Sequence, residues 1–85
     1  MTTEELIRRT NEALAEEFEL DITLMTPESS FQQDLGLDSL DAVDMVIVLE
    51  QEFSIKIGKD PSIGEISTLA DLYQFLLGKK DELSQ

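Results

Sequence analysis

The sequence predicts an all-α fold: a small four-helix bundle with three main helices, one short helix and a long first loop. Three segments carry apolar residues at helical spacing, and each follows a residue of a type that caps helices. Residues 19–37 lack that pattern, which makes them a connection rather than an element. A chain of 85 residues suffices for one domain and is too short for two. We therefore expect a single antiparallel bundle over residues 1–85.

The first helix is predicted over residues 3–18. Thr2 with Glu5 three positions later is a capping-box pattern. The apolar residues behind it recur at helical spacing and form one face, namely Leu6, Ile7, Ala13, Leu14 and Phe18.

The connection that follows, residues 19–37, is long for a small domain, and such loops are often functional. We expect Phe31 and Leu35 to anchor it to the core. Gly36 permits a tight turn immediately before the next element, because glycine adopts backbone conformations that other residues avoid.

The second helix is predicted over residues 38–53, with Asp38 as its N-cap and Ser39 in its first turn. One apolar stripe suits the core and comprises Ala42, Val46, Leu49 and Phe53. A second apolar line comprises Leu40, Val43 and Ile47. Two interpretations of this second line stay open. The helix contacts neighbours on two sides, or the line is exposed between acidic residues as a docking surface for basic partners.

The last third of the sequence predicts two further helices. After a short extended stretch at residues 54–58, Asp60 and Pro61 suit the cap and first position of a short third helix that contains Ile63 and Ile66.

Thr68, with Asp71 three residues later, begins the last helix, which carries Leu69, Leu72, Phe75 and Leu76. We expect Gly78 and the two lysines after it, Lys79 and Lys80, to end this helix.

The charge of the chain limits its partners. The formal net charge is −13, and twelve acidic residues but no lysine or arginine lie between Arg9 and Lys56. Such a surface repels nucleic acid and anionic membranes and attracts basic proteins. No apolar run is long enough for membrane insertion. With no cysteine for a disulfide and an acidic N-terminal segment unlike a secretion signal, the expected location is the cytoplasm.

The sequence offers little catalytic chemistry of its own. A serine nucleophile needs a base to take its proton, and the chain has no histidine. Asp38 and Asp41 beside Ser39 are too acidic and too exposed to act as good bases at neutral pH. The acidic residues do not match a calcium loop, and a zinc site lacks its usual ligands. No metal site and no enzymatic activity are therefore expected.

Residues 34–41, Asp-Leu-Gly-Leu-Asp-Ser-Leu-Asp, resemble the attachment motif of acyl carrier proteins, which has the form D-x-G-x-D-S-L-[DE]. The residues that follow, through Phe53, resemble the recognition helix of that family. The similarity in length, acidity and helix layout extends over nearly the whole chain. Gln51 departs from it, because the family commonly has an acid there, and residues 58–65, with Lys59, are less acidic than is usual.

The resemblance implies a monomeric carrier rather than an enzyme. A separate phosphopantetheinyl transferase would move 4'-phosphopantetheine from coenzyme A onto the Ser39 hydroxyl, and the thiol of that arm would hold acyl chains as thioesters. Enzymes of fatty-acid synthesis and other acyl-transferring enzymes would dock through basic patches. The residues that the resemblance assigns to that contact are Asp38, Leu40, Asp41, Val43, Asp44, Ile47, Glu50 and Glu52.

Two alternatives stay open. The cargo of such a carrier is an amino acid, a polyketide or a specialised lipid in related proteins, and the chemistry of attachment would be the same. Alternatively, the chain is an unmodified acidic helical adaptor that only docks on basic partners, with Ser39 as an ordinary helix residue.

The acidic residues at the start of the second helix generate one prediction. Asp34, Asp38, Asp41 and Asp44 crowd this end of the helix, and their like charges repel one another. Added salt or divalent cations should therefore raise the melting temperature, which circular dichroism measures across a magnesium series. A melting temperature that does not move with magnesium would contradict this.

Overall fold

The computed structural model describes residues 2–58 and 60–83. Over these two ranges the chain is all-helical and contains no β-strand. Its α-helices are α1 (Thr3–Phe18), α2 (Ser39–Phe53) and α3 (Leu69–Leu83). Two short 3₁₀-helices lie in the connections, at Ile22–Leu24 and Pro61–Glu65. The predicted bounds of the first two helices are confirmed. Lys59 and the expectations attached to it lie outside the described residues.

The start of α1 and its inner face agree with the sequence pattern. The Thr2 hydroxyl accepts a hydrogen bond from the Glu5 N–H at 3.1 Å. Leu6 and Leu14 are fully buried, and Thr10 is buried between them. The Thr10 hydroxyl donates to the Leu6 carbonyl at 2.7 Å, which satisfies this buried polar group.

The core draws side chains from all three α-helices and from both long connections. Its buried apolar members are Leu6, Leu14, Met25, Phe31, Leu37, Met45, Leu49, Ile55, Ile57, Leu69, Leu72, Tyr73 and Leu76. Phe31 is buried as predicted, and Leu35 packs against this core while remaining partly exposed. Tyr73 donates its hydroxyl to Asn11 Oδ1 at 2.5 Å, which joins α3 to α1. Burial raises the pKa of the Tyr73 phenol above its ordinary value.

Backbone hydrogen bonds attach the first connection to the segment that precedes α3. The Phe31 N–H donates to the Ser67 carbonyl at 3.0 Å, and the Leu69 N–H donates to the Ser29 carbonyl at 3.1 Å. An isolated antiparallel bridge between Ser30 and Thr68 lies between these bonds. The long loop is therefore a fixed part of the fold.

Arg9 joins α1 to the end of α2. Its Nε donates to Glu52 Oε2 at 2.8 Å, and a terminal nitrogen donates to the Glu52 carbonyl at 2.7 Å. The guanidinium also lies over the Phe53 ring, 5.0 Å from its centroid. Both the charge of Arg9 and the face of its guanidinium group thus serve the contact between these two helices.

The end of the last helix was predicted wrongly. Gly78 and Lys79 do not end α3, which continues to Leu83. An isolated glycine costs a helix only about 1 kcal/mol relative to alanine. Lys79 forms an ion pair with Asp60 at 2.5 Å, and its ammonium lies 5.6 Å from the centroid of the Phe75 ring. These contacts hold the turn around Gly78 in helical conformation.

The third predicted helix forms as the 3₁₀-helix Pro61–Glu65 rather than as an α-helix. Ile63 and Ile66 pack against the core from this region, as the pattern indicated.

The core stripe of α2 is wider than predicted, since Met45 is also buried. Met45 lies one turn before Leu49 on the helix, which widens the buried arc on that side.

Two leucines of α2 allow a matched test of this packing. Leu49 is 1% exposed and Leu40 is 77% exposed. Leu49→Ala should lower the free energy of unfolding by about 2–5 kcal/mol, because it leaves a cavity in the core. Leu40→Ala should change it by less than about 0.5 kcal/mol. Urea denaturation of both variants measures the difference, and equal losses would contradict the assignment of the two faces.

Candidate functional site

The start of α2 is held by a complete capping box. Asp38 Oδ1 accepts the N–H groups of Leu40 at 2.9 Å and Asp41 at 3.1 Å. Asp41 in turn accepts the Asp38 N–H at 3.1 Å. These reciprocal bonds satisfy backbone donors that a helix start otherwise leaves unpaired. They also fix the conformation of the residue between them, Ser39, which is the first residue of the helix.

Ser39 is exposed because the chain turns sharply just before it. Leu37 is buried in the core, and its N–H donates to the Phe31 carbonyl at 2.7 Å. Gly36 has a φ of 68°, a left-handed conformation that permits this turn, as expected. The chain leaves the core at Asp38, and Ser39 follows in solvent.

A groove of about 380 Å³ lies beside Ser39. Its polar wall includes Ser30, Gln32 and Ser67. Its apolar wall comprises Phe31, Leu37, Ala42, Met45, Ile63 and Ile66. A flexible arm attached at Ser39 would find hydrogen-bonding groups and apolar surface within the same groove.

A smaller apolar cavity of about 50 Å³ lies deeper between α2, the second 3₁₀-helix and α3. It shares several walls with the groove, namely Phe31, Ala42, Met45, Ile63 and Ile66. Leu49, Leu72 and Phe75 form part of its remaining lining. The shared walls connect the surface beside Ser39 to the interior of the domain.

The second apolar line of α2 lies on the surface. Leu40 is 77% exposed, Val43 60% and Ile47 47%. Since these side chains do not pack against a neighbouring helix, the exposed-line interpretation of α2 is confirmed over the contact-on-two-sides interpretation. An uncovered line of this kind, with acidic residues around it, has the composition of a docking surface.

The acidic residues predicted to contact partners lie in two different environments. Asp38 and Asp44 are exposed near the start of α2, and Asp41 takes part in the capping box. Towards the end of the helix, Glu50 Oε2 accepts the N–H groups of Ile57 at 2.8 Å and Gly58 at 3.1 Å.

Glu52 lies on the α1 side of the helix, where its carboxylate pairs with Arg9 at 2.7 Å. The two acids at the C-terminal end of α2 therefore already have partners within the chain.

Several residues around Ser39 were not recognised from sequence as part of a site. Leu37, Met45, Ile63 and Ile66 line the groove, yet the sequence pattern assigned none of them to a site. The role of Glu50 in holding residues 57 and 58 also carried no sequence signal, because the contact spans an irregular connection. Spacing along α2 does identify Met45, which lies one turn from both Ala42 and Leu49.

The described part of the chain shows no metal centre and no membrane-spanning helix. Over residues 2–58 and 60–83, no cluster of three or more acidic side chains has a geometry suited to a metal ion. None of the helices in these ranges combines the length and the hydropathy that a bilayer crossing requires.

An exposed serine at a capped helix start thus lies beside a groove that shares walls with an apolar cavity. Residues 8–76 match the family model described as the phosphopantetheine attachment site. The chain is 38% identical to an acyl carrier protein of Treponema denticola over 73 residues, covering 86% of this chain and 92% of that protein. It is 32% identical over 85 residues to an acyl carrier protein of Cyanidioschyzon merolae, covering 100% of this chain and 92% of the relative. The chain belongs to the acyl carrier protein family.

The capping box at Ser39 can be tested by two substitutions at one position. Asp38→Ala removes the acceptor for two N–H groups and should lower the free energy of unfolding by about 0.5–2 kcal/mol. Asp38→Asn keeps a capping oxygen and should lower it by much less. Thermal denaturation of both variants, converted at a common temperature, measures the difference. Equal destabilisation would show that the charge of Asp38, and not its capping oxygen, matters.

Proposed function

We propose that this protein carries acyl groups as thioesters on a 4'-phosphopantetheine arm attached to Ser39, and presents them to enzymes of fatty-acid or related acyl biosynthesis. The observation that carries this proposal is the exposed hydroxyl of Ser39 at a capped helix start, within a chain that belongs to the acyl carrier protein family. The chain acts as a carrier on which other enzymes work, as its family membership indicates.

The attachment chemistry explains what the site lacks. A transferase would move the phosphopantetheine group of coenzyme A to Ser39 Oγ: a phosphodiester would form at serine as the pyrophosphate bond of coenzyme A breaks, and adenosine 3',5'-bisphosphate would leave. The transferase accepts the hydroxyl proton, which is why a chain without histidine suffices. The arm supplies the thiol that this cysteine-free chain does not contain.

The groove beside Ser39 suits the arm that we propose. Hydroxyl and amide groups of Ser30, Gln32 and Ser67 can pair with the amides of pantetheine, whereas Leu37 and Ile63 suit its apolar atoms. The cap matters as well, since it orients the first turn of α2 and hence the serine that a transferase must reach.

The deeper cavity supports a second part of the proposal, concerning the cargo. Its lining residues are all apolar, and it shares walls with the groove. An acyl chain on the arm could leave water by entering between α2 and α3, which removes its methylene groups from solvent. We propose that the cavity receives the acyl chain.

We also propose that α2 is the docking surface for partner enzymes. Leu40, Val43 and Ile47 supply the apolar contact, and Asp38 and Asp44 attract lysine and arginine around it. Apolar contact contributes affinity, whereas the carboxylates increase the association rate and fix orientation. Asp41 adds charge near Ser39 through its place in the capping box.

We propose that Glu50 and Glu52 are weaker contacts for a partner, because both carboxylates are already bound within the chain. A partner cation at Glu50 would share the carboxylate with two backbone N–H groups, and one at Glu52 would compete with Arg9. The strongest steering should therefore come from the Ser39 end of α2. Gln51, which is neutral, reinforces this asymmetry.

The remaining parts of the proposal concern the protein as a whole. We propose that the fold is a four-helix bundle in which the 3₁₀-helix Pro61–Glu65 occupies the place of the short helix. Family membership and the continuous core support a single domain over residues 1–85 that acts as a monomer in the cytoplasm.

The attachment site is tested by loading the protein in vitro. Incubation with coenzyme A and a carrier-protein transferase should add one phosphopantetheine to the wild type, as measured by intact mass. Ser39→Ala should gain no mass, while Ser54→Ala, which changes an exposed serine just after α2, should load normally. Equal loading of Ser39→Ala would refute the assignment. Protein isolated from its native cell, measured in the same way, identifies the cargo.

The docking surface is tested by two charge substitutions of equal size. Asp44→Asn should lower the kcat/KM of the transferase about three- to ten-fold at low salt, because it removes steering charge beside Ser39. Glu17→Gln, which neutralises an exposed acid on α1, should have less than a two-fold effect. The difference in kcat/KM between the two variants should become smaller in high salt, where charge is screened. Equal effects of the two substitutions would count against a docking role for α2.

A further inference from the structure

A short strap, residues 60–66, closes one side of the apolar cavity. Ile63 and Ile66 from the strap line this cavity opposite Met45 and Leu49 of α2. Within the strap, the Ile63 N–H donates to the Asp60 carbonyl at 3.2 Å, and the Ile66 N–H donates to the Ile63 carbonyl at 3.2 Å. These single-turn bonds are weaker restraints than a continuous α-helix would provide.

Both ends of the strap are anchored to neighbouring elements. Just before it, Glu50 of α2 accepts the N–H groups of Ile57 and Gly58. Just after it, the Ser67 carbonyl accepts the Phe31 N–H of the first connection. The strap therefore lies between two hydrogen-bonded segments. Its movement away from the cavity depends on the contacts that its own residues make.

One side-chain contact ties the strap directly to α3. Asp60 Oδ2 lies 2.5 Å from Lys79 Nζ, and these side chains are only 19% and 24% exposed. The Lys79 ammonium also lies 5.6 Å from the centroid of the Phe75 ring, and Phe75 is itself a wall of the cavity. A partly buried ion pair is screened less by salt than a surface pair. This contact thus links the strap to the helix on the opposite side of the cavity.

The cavity is too small for a chain of several methylene groups as it stands. Its volume is about 50 Å³, whereas a dry cavity that accepts benzene measures roughly 150 Å³. The interior is close-packed, so entry of an apolar chain requires a wall to move. Among its walls, α2 and α3 are long helices packed in the core, whereas the strap is held internally by single-turn hydrogen bonds.

We propose that the Asp60–Lys79 ion pair is a latch that controls how readily the strap opens the cavity. Asp60 and Lys79 act as positioning residues: they do not touch the attachment serine, and they set the equilibrium between a closed strap and an opened one. The latch makes the interior accessible only when this contact breaks. Its role in cargo entry rests on the proposed function, whereas the opening itself is a property of the protein without an arm.

Amide hydrogen exchange of the unmodified protein tests the latch. Lys79→Met removes the charge but keeps an apolar side chain against Phe75, and Asp60→Asn removes the opposite charge. Either substitution should speed exchange of the Ile63 and Ile66 amides about three- to ten-fold, the size expected for loss of one ion pair. The Leu49 amide of α2 should speed up by no larger factor, because loss of one ion pair lowers the free energy of global unfolding by at most the same amount.

Two controls separate the latch from a general effect of charge. Lys56→Met removes the charge of an exposed lysine before the strap and should change the Ile63 and Ile66 rates less than two-fold. The double variant Asp60→Asn/Lys79→Met should exchange no faster than the faster single variant, because both changes break one contact.

The latch is refuted if Lys79→Met leaves the Ile63 and Ile66 rates at the wild-type value. It is also refuted if Lys56→Met accelerates them equally, or if the single effects add in the double variant. None of these measurements requires loading of Ser39. A failure of the transferase to load Ser39 would overturn the proposed function and leave the result on the latch intact.

Discussion

Hydrogen bonds between the first connection and the segment before α3 determine where Ser39 lies. Phe31 and Leu69 each donate across this junction, and the buried side chain of Phe31 holds the connection against the core. Leu37 then returns to the core, and the capping box at Asp38 begins α2 at a defined position. A loop of this length would be costly to order without such pairing. The fold uses it to place one exposed hydroxyl beside a groove that leads inward.

The helix that begins there has two faces with different tasks. Met45 and Leu49 pack into the core, while Leu40 and Val43 stay in solvent. The C-terminal end of α2 is tied down by Arg9 and by the contact of Glu50 with the following connection. Asp44 near the start of the helix faces solvent, whereas Glu50 and Glu52 at its end bind groups of neighbouring segments. Carboxylates on the same helix are thus not equivalent as contacts for a partner.

The sequence predicts the all-helical class and the start of α2 well, because both depend on local signals. Caps at Thr2 and Asp38 involve residues at most three positions apart, and periodicity shows which face of a helix is apolar. Features that depend on distant contacts could not be predicted. Gly78 stays helical because Lys79 meets Asp60 across a connection. The role of Glu50 likewise depends on how residues 54–58 turn back towards α2. Composition and spacing do not show which side chains of different elements contact each other.

The exposed apolar line of α2 has a consequence for the protein in concentrated solution. Uncovered leucine, valine and isoleucine on every copy would favour self-association between identical molecules. With a formal charge of −13, any two copies approach each other under strong mutual repulsion. The same carboxylates that would attract a basic partner enzyme therefore keep the exposed apolar lines of two identical molecules apart. Each molecule can in this way leave its apolar line uncovered and still remain dispersed at high concentration.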